Sequence, residues 1–336
     1  MDPEAVRSVG RAPHGGSDDP TLLEFSANVN PRTPPGVEDV YRAALAGSRR
    51  YPAEPPAEFR AAAAASVGCA PEQVVPTAGG LAAIRLSVET TVSPGDSVLV
   101  PAPSFAEYAR EVRLAGGTPA FVDHDRLVEA DPAGHAMAVV CNPNNPTGDA
   151  CEDDRLRAFA ARCRDAGTTL LVDEAFLGYT DRPSMAGEPG VVVARSLTKL
   201  FGLPGLRAGY AVATGGGREA LETARRPWNV GTPALRVGAH CLRRTDFVEE
   251  TRRRVRRERA RMRERLSARY VVAPSAAPFL LLDVGERDPA AVVAGARERG
   301  VAIRDATTFR GLDRHVRVAV RSREANDRLL TVLADV

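Results

Sequence analysis

The sequence predicts an α/β fold, in which a parallel or mixed sheet is covered by helices on both faces and a smaller α+β domain follows. In the first two thirds of the chain, short β-branched runs alternate with helical stretches, as expected for repeated strand–helix–strand units. After about Arg226 a long helical stretch precedes short strands. A length of 336 residues also suits two domains. We therefore expect a large domain at 30–225 and a small domain formed by 1–29 and 226–336.

The elements follow from local patterns. Four short apolar runs closed by turn residues predict strands at 97–100, 138–141, 169–172 and 191–194. The clearest helix spans 153–166, where apolar residues recur at helical spacing and Gly167 supplies a stop. In the second part, one long helix is expected at 234–268, and strands are expected at 279–282, 301–303 and 316–320.

Bulk properties favour a cytoplasmic protein without a membrane span, and the net charge argues neither for nor against a nucleic-acid partner. The formal net charge is +2, and the five cysteines show no CxxC spacing, which indicates reduced thiols and no metal site. No secretory signal is apparent, and no apolar run approaches the roughly 18 residues of a membrane span. Arg252–Arg265 holds nine arginines. We interpret this run as a solvated helix face; phosphate-backbone binding is the alternative, but no aromatic residues interleave with it.

Lys199 is the only lysine in the chain, whereas the other 44 basic side chains are arginine. Unlike a guanidinium, an amine can lose its proton near neutral pH and form a Schiff base with a carbonyl group. The alternative is a surface lysine left in an arginine-biased sequence. The pattern Ser196-x-x-Lys199, with Arg207 eight residues later, favours a catalytic lysine.

Three further motifs lie at predicted strand ends, where open α/β sheets bind ligands. The segment Asn142–Gly148 is either a simple turn or a carrier of a functional amide. Asp173 follows a strand and is either a helix cap or a partner for a protonated ring nitrogen. The Thr77–Gly80 turn before a helix offers backbone N–H groups to an anion. Together with Lys199, these groups describe a pyridoxal 5'-phosphate site, in which the carboxylate keeps the ring protonated as an electron sink.

Nearly the whole chain resembles the fold-type I pyridoxal-phosphate enzymes of the class I/II aminotransferase group. The motifs that carry the resemblance lie at 23–31, 50–52, 103–108, 142–148, 173–176, 195–199, 227–230 and 316–322. Within the group the chain is most similar to the threonine-phosphate decarboxylases of cobalamin biosynthesis, with the histidinol-phosphate aminotransferases next. The resemblance implies an aspartate-aminotransferase-like fold with a mostly parallel sheet of the seven-stranded type, and a homodimer.

The resemblance also implies roles for individual residues. Lys199 would bind the cofactor covalently, Asp173 would pair with its ring nitrogen, Asn145 would bond its phenolate oxygen and Phe105 would stack on its ring. Further residues would hold the cofactor phosphate: Gly79, Gly80, Ser196, Arg207 and, from the other subunit, Tyr51. Arg317 would bind the substrate carboxylate. A substrate phosphate would meet a group formed by Arg304, Asn30, His14 and Arg321.

The reaction expected from the motifs is decarboxylation of an amino acid O-phosphate, L-threonine O-3-phosphate to aminopropanol phosphate. Phe176 stands where histidinol-phosphate aminotransferases have tyrosine, and the decarboxylases share this phenylalanine. The alternative is an aminotransferase acting on histidinol phosphate or another amino acid, because the orientation of a bound substrate is not visible in sequence. A non-enzymatic pyridoxal-binding regulator would not need Asp173, Asn145, Lys199 and Arg207 together.

Overall fold

The computed structural model describes residues 1–336 and contains twelve helices and thirteen strands. The helices are α1 (Pro3–Ser8), α2 (Val37–Gly47), α3 (Ala57–Val67), α4 (Gly80–Thr91), α5 (Glu107–Leu114), α6 (Asp153–Asp165), α7 (Leu197–Leu200), α8 (Gly215–Ala224), α9 (Thr232–Leu242), α10 (Thr245–Leu266), α11 (Pro289–Glu298) and α12 (Arg323–Ala334). The strands are β1 (Leu23–Glu24), β2 (Val74–Thr77), β3 (Ser97–Ala102), β4 (Thr118–Asp123), β5 (Met137–Cys141), β6 (Thr169–Asp173), β7 (Val191–Ser196), β8 (Gly209–Val212), β9 (Val271–Val272), β10 (Phe279–Asp283), β11 (Val301–Ala302), β12 (Arg304–Asp305) and β13 (His315–Ala319).

The main sheet has seven strands in the order β2-β8-β7-β6-β5-β3-β4. Only β8 runs antiparallel to its neighbours, so the expected mostly parallel seven-stranded sheet is confirmed. The predicted strands correspond to β3, β5, β6 and β7. The sequence did not reveal β2, β4 or β8. Two of these have only four residues, and β4 is a half-exposed edge strand that contains Pro119.

Both faces of this sheet are buried, because successive side chains of a strand point to opposite faces. Val140 and Leu170 pack into one hydrophobic core, whereas Val139 and Leu171 pack into the other. Helices cover each core, which explains why the central strands read as continuous apolar runs rather than alternating patterns. The consequence for function is a rigid sheet whose carboxyl edge holds its loops in fixed positions.

A second, antiparallel sheet has the order β12-β13-β10-β9. The N-terminal segment joins this part of the chain, because β1 pairs in parallel with β11 through Leu23 and Val301. The proposed domain boundary at residue 225 stays a prediction. The helix that follows it, α9, packs on α2 and α3 of the preceding segment.

The long helix expected at 234–268 is two helices, α9 and α10, separated at Arg243 and Arg244. No glycine or proline marks the break, so the pattern gave no sign of it. The arginine run of α10 is not simply a solvated face. Arg259 donates to the carbonyl oxygens of Ala276 and Ala277, both at 2.9 Å. Arg254 is buried, and other arginines of the run pair with acidic side chains. None of the helices is both long enough and apolar enough to span a bilayer.

Candidate active site

A cavity of about 350 Å³ opens where β3, β5, β6 and β7 end. Since parallel strands bring their carboxyl ends to one edge, residues distant in sequence meet there. The cavity brings together ten of the residues predicted for the site: His14, Gly80, Phe105, Asn145, Asp173, Ser196, Lys199, Arg207, Arg304 and Arg317.

Lys199 lies on α7, a single helical turn that directly follows β7. Burial lowers the pKa of its amine, and the charges of Arg317 and Arg207 lower it further, whereas Asp173 opposes the change. A larger fraction of this amine is therefore neutral at physiological pH than for an exposed lysine. Neutral amine is the form that attacks a carbonyl carbon.

Asp173 ends β6 and is 5% exposed. Its Oδ2 accepts a hydrogen bond from the hydroxyl of Tyr108 at 2.6 Å, and its Oδ1 accepts one from the backbone N–H of Ala175 at 2.9 Å. Burial raises the pKa of this carboxyl, while the Tyr108 and Ala175 hydrogen bonds and the nearby Lys199 charge oppose the rise. A cation placed in the cavity would relieve the desolvation cost of the carboxylate.

An anion cradle forms where β2 passes into α4. Gly79 has a φ of +94°, and a Cβ atom there would lie 2.6 Å from Nη2 of Arg207. Gly209 is equally constrained, because its Cβ would lie 2.6 Å from the carbonyl oxygen of Arg195. Arg207 donates only to the carbonyl oxygens of Pro204 and Ala78, at 3.2 and 3.4 Å. Backbone N–H groups of the α4 N-terminus and an arginine without a carboxylate partner suit a phosphate.

Arg317 lies on β13, is 5% exposed and contacts Asn145 across the cavity. Its Nη1 donates to Oδ1 of Asn145 and its Nη2 donates to the carbonyl oxygen of Ser26 at 2.8 Å. Because a guanidinium only donates, the amide oxygen of Asn145 must face Arg317, which leaves the amide NH₂ for another acceptor. Burial, followed by repulsion from Arg304, lowers the pKa of Arg317 to about 9. No protein carboxylate pairs with this guanidinium, so it is available to bind the carboxylate of a ligand.

Three phenylalanines line the cavity: Phe105, Phe176 and Phe309. Phe105 meets Tyr108 edge-on with ring centroids 5.5 Å apart, and Phe176 meets Phe279 edge-on at 5.1 Å. Phe176 has no polar atom on its side chain, so it offers no hydrogen bond to a ligand. The cavity wall at Phe176 is therefore apolar.

The segment 10–17, which we call the strap, crosses the mouth of the cavity. Arg304 donates to the carbonyl oxygens of His14 and Pro13 at 2.8 and 2.9 Å. The imidazole Nε2 of His14 lies 2.9 Å from Oε1 of Glu107. Arg304, predicted to meet a substrate phosphate, therefore contacts the strap. Its charge has no carboxylate partner within the protein.

Besides Gly79, whose place in the anion cradle is given above, three predicted residues do not line the cavity. The side chain of Asn30 is buried under α7, where Leu200, Thr251, Arg32 and Arg254 use all of its hydrogen-bonding capacity, so it has none left for a substrate phosphate. Arg321 and Tyr51 do not line the cavity either. The ring of Tyr51 is 77% exposed and stacks on Trp228 with ring centroids 4.4 Å apart.

Other residues line or support the site without having been predicted for it: Ser26, Asn28, Glu107, Tyr108, Cys141 and Phe309. Tyr108 falls in a segment that carries the family resemblance, but nothing in the sequence shows that its hydroxyl meets Asp173. Oδ1 of Asn28 and Nε of Arg317 are buried without hydrogen-bond partners. The site thus suits a ligand with a cationic ring, a phosphate and a carboxylate. The Asp173 carboxylate suits the ring, the anion cradle suits the phosphate, and the unpaired Nε of Arg317 suits the carboxylate.

Comparison with known proteins places this geometry in a family. The sequence profile of "Aminotransferase class I and II" matches residues 21–333. The histidinol-phosphate aminotransferase of Halobacterium salinarum is 32% identical, over 99% of this chain and 94% of that protein. Among solved structures, the histidinol-phosphate aminotransferase of Clostridium acetobutylicum superposes with a TM-score of 0.83 at 23% identity, covering 93% of this chain and 98% of that one. The L-threonine-O-3-phosphate decarboxylase of Porphyromonas gingivalis reaches a TM-score of 0.84 at 24% identity, with the same two coverages, 93% and 98%. The chain belongs to the class I and II aminotransferases, a family of enzymes that depend on pyridoxal phosphate.

Proposed function

We propose that this protein is a cytoplasmic aminotransferase that binds pyridoxal phosphate on Lys199 and acts on a phosphorylated amino substrate, with histidinol phosphate as the first candidate. Support comes from the Halobacterium relative, which matches over nearly its whole length. The decarboxylase fold neighbour is only 24% identical and superposes about as well as the aminotransferase, so the fold does not favour decarboxylation. The comparisons thus favour the alternative over the reaction expected from the motifs.

The observation that carries the proposal is the arrangement of charge in one cavity. It holds an amine of lowered pKa, a buried carboxylate and arginines without carboxylate partners. Pyridoxal phosphate, when bound, supplies an electron sink that weakens the bonds to the substrate Cα. Asp173 would hold positive charge on the ring nitrogen, Arg207 would bind the phosphate, and the Nζ atom of Lys199 would move the proton at Cα.

Histidinol phosphate has no carboxylate, whereas 2-oxoglutarate has two. The same cations must therefore hold the phosphate of one substrate and a carboxylate of the other in alternation. Arg317 fits this requirement, because it is a bidentate donor with one unused N–H at Nε. Arg304 and the imidazole of His14 would add positive charge and a donor at the cavity mouth.

The cofactor part of the proposal is tested first. The purified protein should absorb in the near-ultraviolet to visible range, and borohydride should fix the cofactor to the peptide that contains Lys199. Lys199→Arg keeps the positive charge but cannot form the covalent bond, so it is the matched control. A colourless protein that cannot be reconstituted with pyridoxal phosphate would refute the proposal.

The reaction is tested with two parallel incubations. One contains histidinol phosphate with 2-oxoglutarate, the other contains L-threonine O-3-phosphate, and both glutamate and CO₂ are measured. Glutamate formation in the first incubation is the expected result. CO₂ without glutamate would overturn the aminotransferase assignment while leaving the cofactor site intact.

Decarboxylation of an amino acid O-phosphate is a second candidate, because one observation favours it. Phe176 lines the cavity and packs on Phe279, so a phenolate oxygen of the cofactor would find no donor there. Asn145 then remains its proposed donor. Phe176→Tyr should supply a hydroxyl donor to that phenolate oxygen. The ratio of CO₂ to glutamate then measures whether this donor changes the reaction.

The proposal includes a homodimer in which Tyr51 reaches the cofactor phosphate of the partner subunit. In support, Tyr51 and Trp228 form an exposed stacked pair that does not line the cavity of its own subunit. Inactive Tyr51→Phe and Lys199→Arg variants, when mixed, should form hybrid dimers with one restored site. Monomeric behaviour in sedimentation at assay concentration would contradict this arrangement.

A further inference from the structure

The helix that carries Lys199 is unusually dependent on contacts from outside itself. The α7 helix has only four residues, so it has almost no internal hydrogen bonds to hold it. Carbonyl groups at a helix C-terminus also lack partners within the helix. Here the carbonyl oxygen of Lys199 accepts hydrogen bonds from the backbone N–H of Asn30 at 2.9 Å and from the hydroxyl of Tyr179 at 2.8 Å. The position of the amine is therefore set partly by residues remote in sequence.

The side chain of Asn30 also caps the next carbonyl group of α7, that of Leu200. Its Nδ2 donates to the carbonyl oxygen of Leu200 at 2.7 Å and to the hydroxyl of Thr251 at 3.3 Å. Its Oδ1 accepts from Nη2 of Arg254 at 2.7 Å and from the backbone N–H of Arg32 at 3.1 Å. With both amide hydrogens and both oxygen lone pairs engaged, this buried side chain has a single orientation.

Arg254 connects this network to the strand that carries Arg317. It is 8% exposed and forms no ion pair; its Nη1 donates instead to the carbonyl oxygen of Arg321 at 3.0 Å. Arg321 follows β13, which carries Arg317. One guanidinium therefore bridges the amide beneath the lysine and the end of the strand that holds the carboxylate-binding arginine.

We propose that Asn30, Tyr179 and Arg254 are positioning residues for Lys199: Asn30 and Tyr179 cap the C-terminal carbonyls of α7, and Arg254 ties Asn30 to the strand of Arg317. This inference rests on the proposed role of Lys199 as the cofactor-binding amine. It does not depend on which substrate the enzyme uses.

The test exploits the single lysine. In the apoprotein, an amine-reactive reagent can modify one side-chain amine, so the pH dependence of its labelling reports on Lys199 alone once the peptide is identified by mass spectrometry. The variant is Tyr179→Phe, which removes one donor to the Lys199 carbonyl. The control is Tyr270→Phe, since Tyr270 is also buried and donates its hydroxyl to a helix carbonyl, that of Leu333, at 2.9 Å.

When a capping hydrogen bond of α7 is removed, more water reaches the Lys199 amine. The pKa of the amine then rises toward its ordinary value of 10.5. The pH at which labelling of Tyr179→Phe becomes half-maximal should therefore lie above that of the wild-type protein. Tyr270→Phe should label like the wild type. Equal labelling of the two variants would overturn the inference, whereas failure of borohydride to trap cofactor on wild-type Lys199 would instead overturn the proposed function.

A second pair of variants tests the bridge. Arg254→Gln removes the guanidinium that spans Asn30 and Arg321, while Arg259→Gln changes another α10 arginine that donates only to backbone carbonyls. Both variants keep Lys199 as the only lysine. Arg254→Gln should shift Lys199 labelling to higher pH and raise the KM of the carboxylate substrate, and Arg259→Gln should do neither. If the two glutamine variants behave alike, Arg254 has no positioning role.

Discussion

The ligand-free protein should be more stable without the charge of Arg317. This guanidinium is 5% exposed, has no carboxylate partner and has its pKa lowered from the ordinary arginine value to about 9 by burial and by repulsion from Arg304. At about 1.36 kcal/mol per pKa unit, burial and repulsion cost the charged form about 5 kcal/mol. Arg317→Met keeps most of the side-chain volume and removes that cost.

The gain is reduced by the hydrogen bonds that are lost. Asn145 and Ser26 each lose one donor, worth about 1 kcal/mol where water can replace it, as it can in an open cavity. A net gain of about 1–3 kcal/mol is expected, in line with other replacements of buried charges by apolar side chains. At about 2.1 cal/mol/K of unfolding entropy per residue, 336 residues convert this gain into a Tm increase of about 1.5–4 °C.

Thermal unfolding of the apoprotein by circular dichroism measures the effect, with Arg225→Met as the control. Arg225 is also buried, but it pairs with Glu54 at 2.6 Å and Glu222 at 2.8 Å. Removing it leaves Glu54 without an arginine partner and takes one of two arginines from Glu222, which keeps Arg60 at 2.7 Å, so the Tm should fall. Transaminase activity should be lost in Arg317→Met, and a carboxylate substrate should raise the Tm of the wild type only. If Arg317→Met lowers the Tm as Arg225→Met does, the guanidinium is not an unpaired charge kept for a ligand.

Four other outcomes are expected. Tyr108→Phe removes the donor to Asp173 and raises its pKa further, so spectrophotometric titration should show pyridoxal phosphate binding about 10- to 100-fold more weakly. Gly79→Ala places a Cβ against a guanidinium at a φ of +94°, and should weaken cofactor binding in the same titration. Arg304→Ala releases the strap, so limited proteolysis should cleave near residue 14 faster and the KM of phosphorylated substrates should rise more than that of unphosphorylated ones. Because folding lowers the pKa of Lys199, the unfolded chain binds more protons just below pH 10.5; the free energy of unfolding of the apoprotein should therefore rise with pH in that window, and denaturant titrations of Lys199→Met should lack this contribution.

Four central strands could be predicted because strands buried on both faces leave continuous apolar runs, whereas the number of seven strands came from the family resemblance. Lys199, Asp173 and Asn145 could be proposed together because their motifs follow such strands. The short strands β2 and β8 escaped notice, since four residues hold too little pattern. The break between α9 and α10 has no glycine or proline to mark it.

Side-chain direction was the harder part of the site. Asn30 was expected to contact a substrate phosphate, but whether an amide points into a cavity or under a helix depends on packing that local sequence does not encode. Tyr108 shows the converse case, because its contact with Asp173 joins residues 65 positions apart. Arg304 lines the cavity, but its bonds to the strap depend on a segment 290 positions away.

The contacts that close the cavity join opposite ends of the chain. Arg304 holds the carbonyl of His14, Arg317 holds the carbonyl of Ser26, and Leu23 pairs with Val301, each across more than 270 positions. Forming contacts of such long sequence separation costs loop-closure entropy, so these contacts form late in folding. During synthesis, a ribosome-bound chain that already displays Lys199 and Asp173 would still lack Arg317 and the anchor of the strap. The cavity can therefore be completed only after residue 317 has left the ribosome, and a nascent or C-terminally cleaved chain would hold Lys199 and Asp173 without a substrate site.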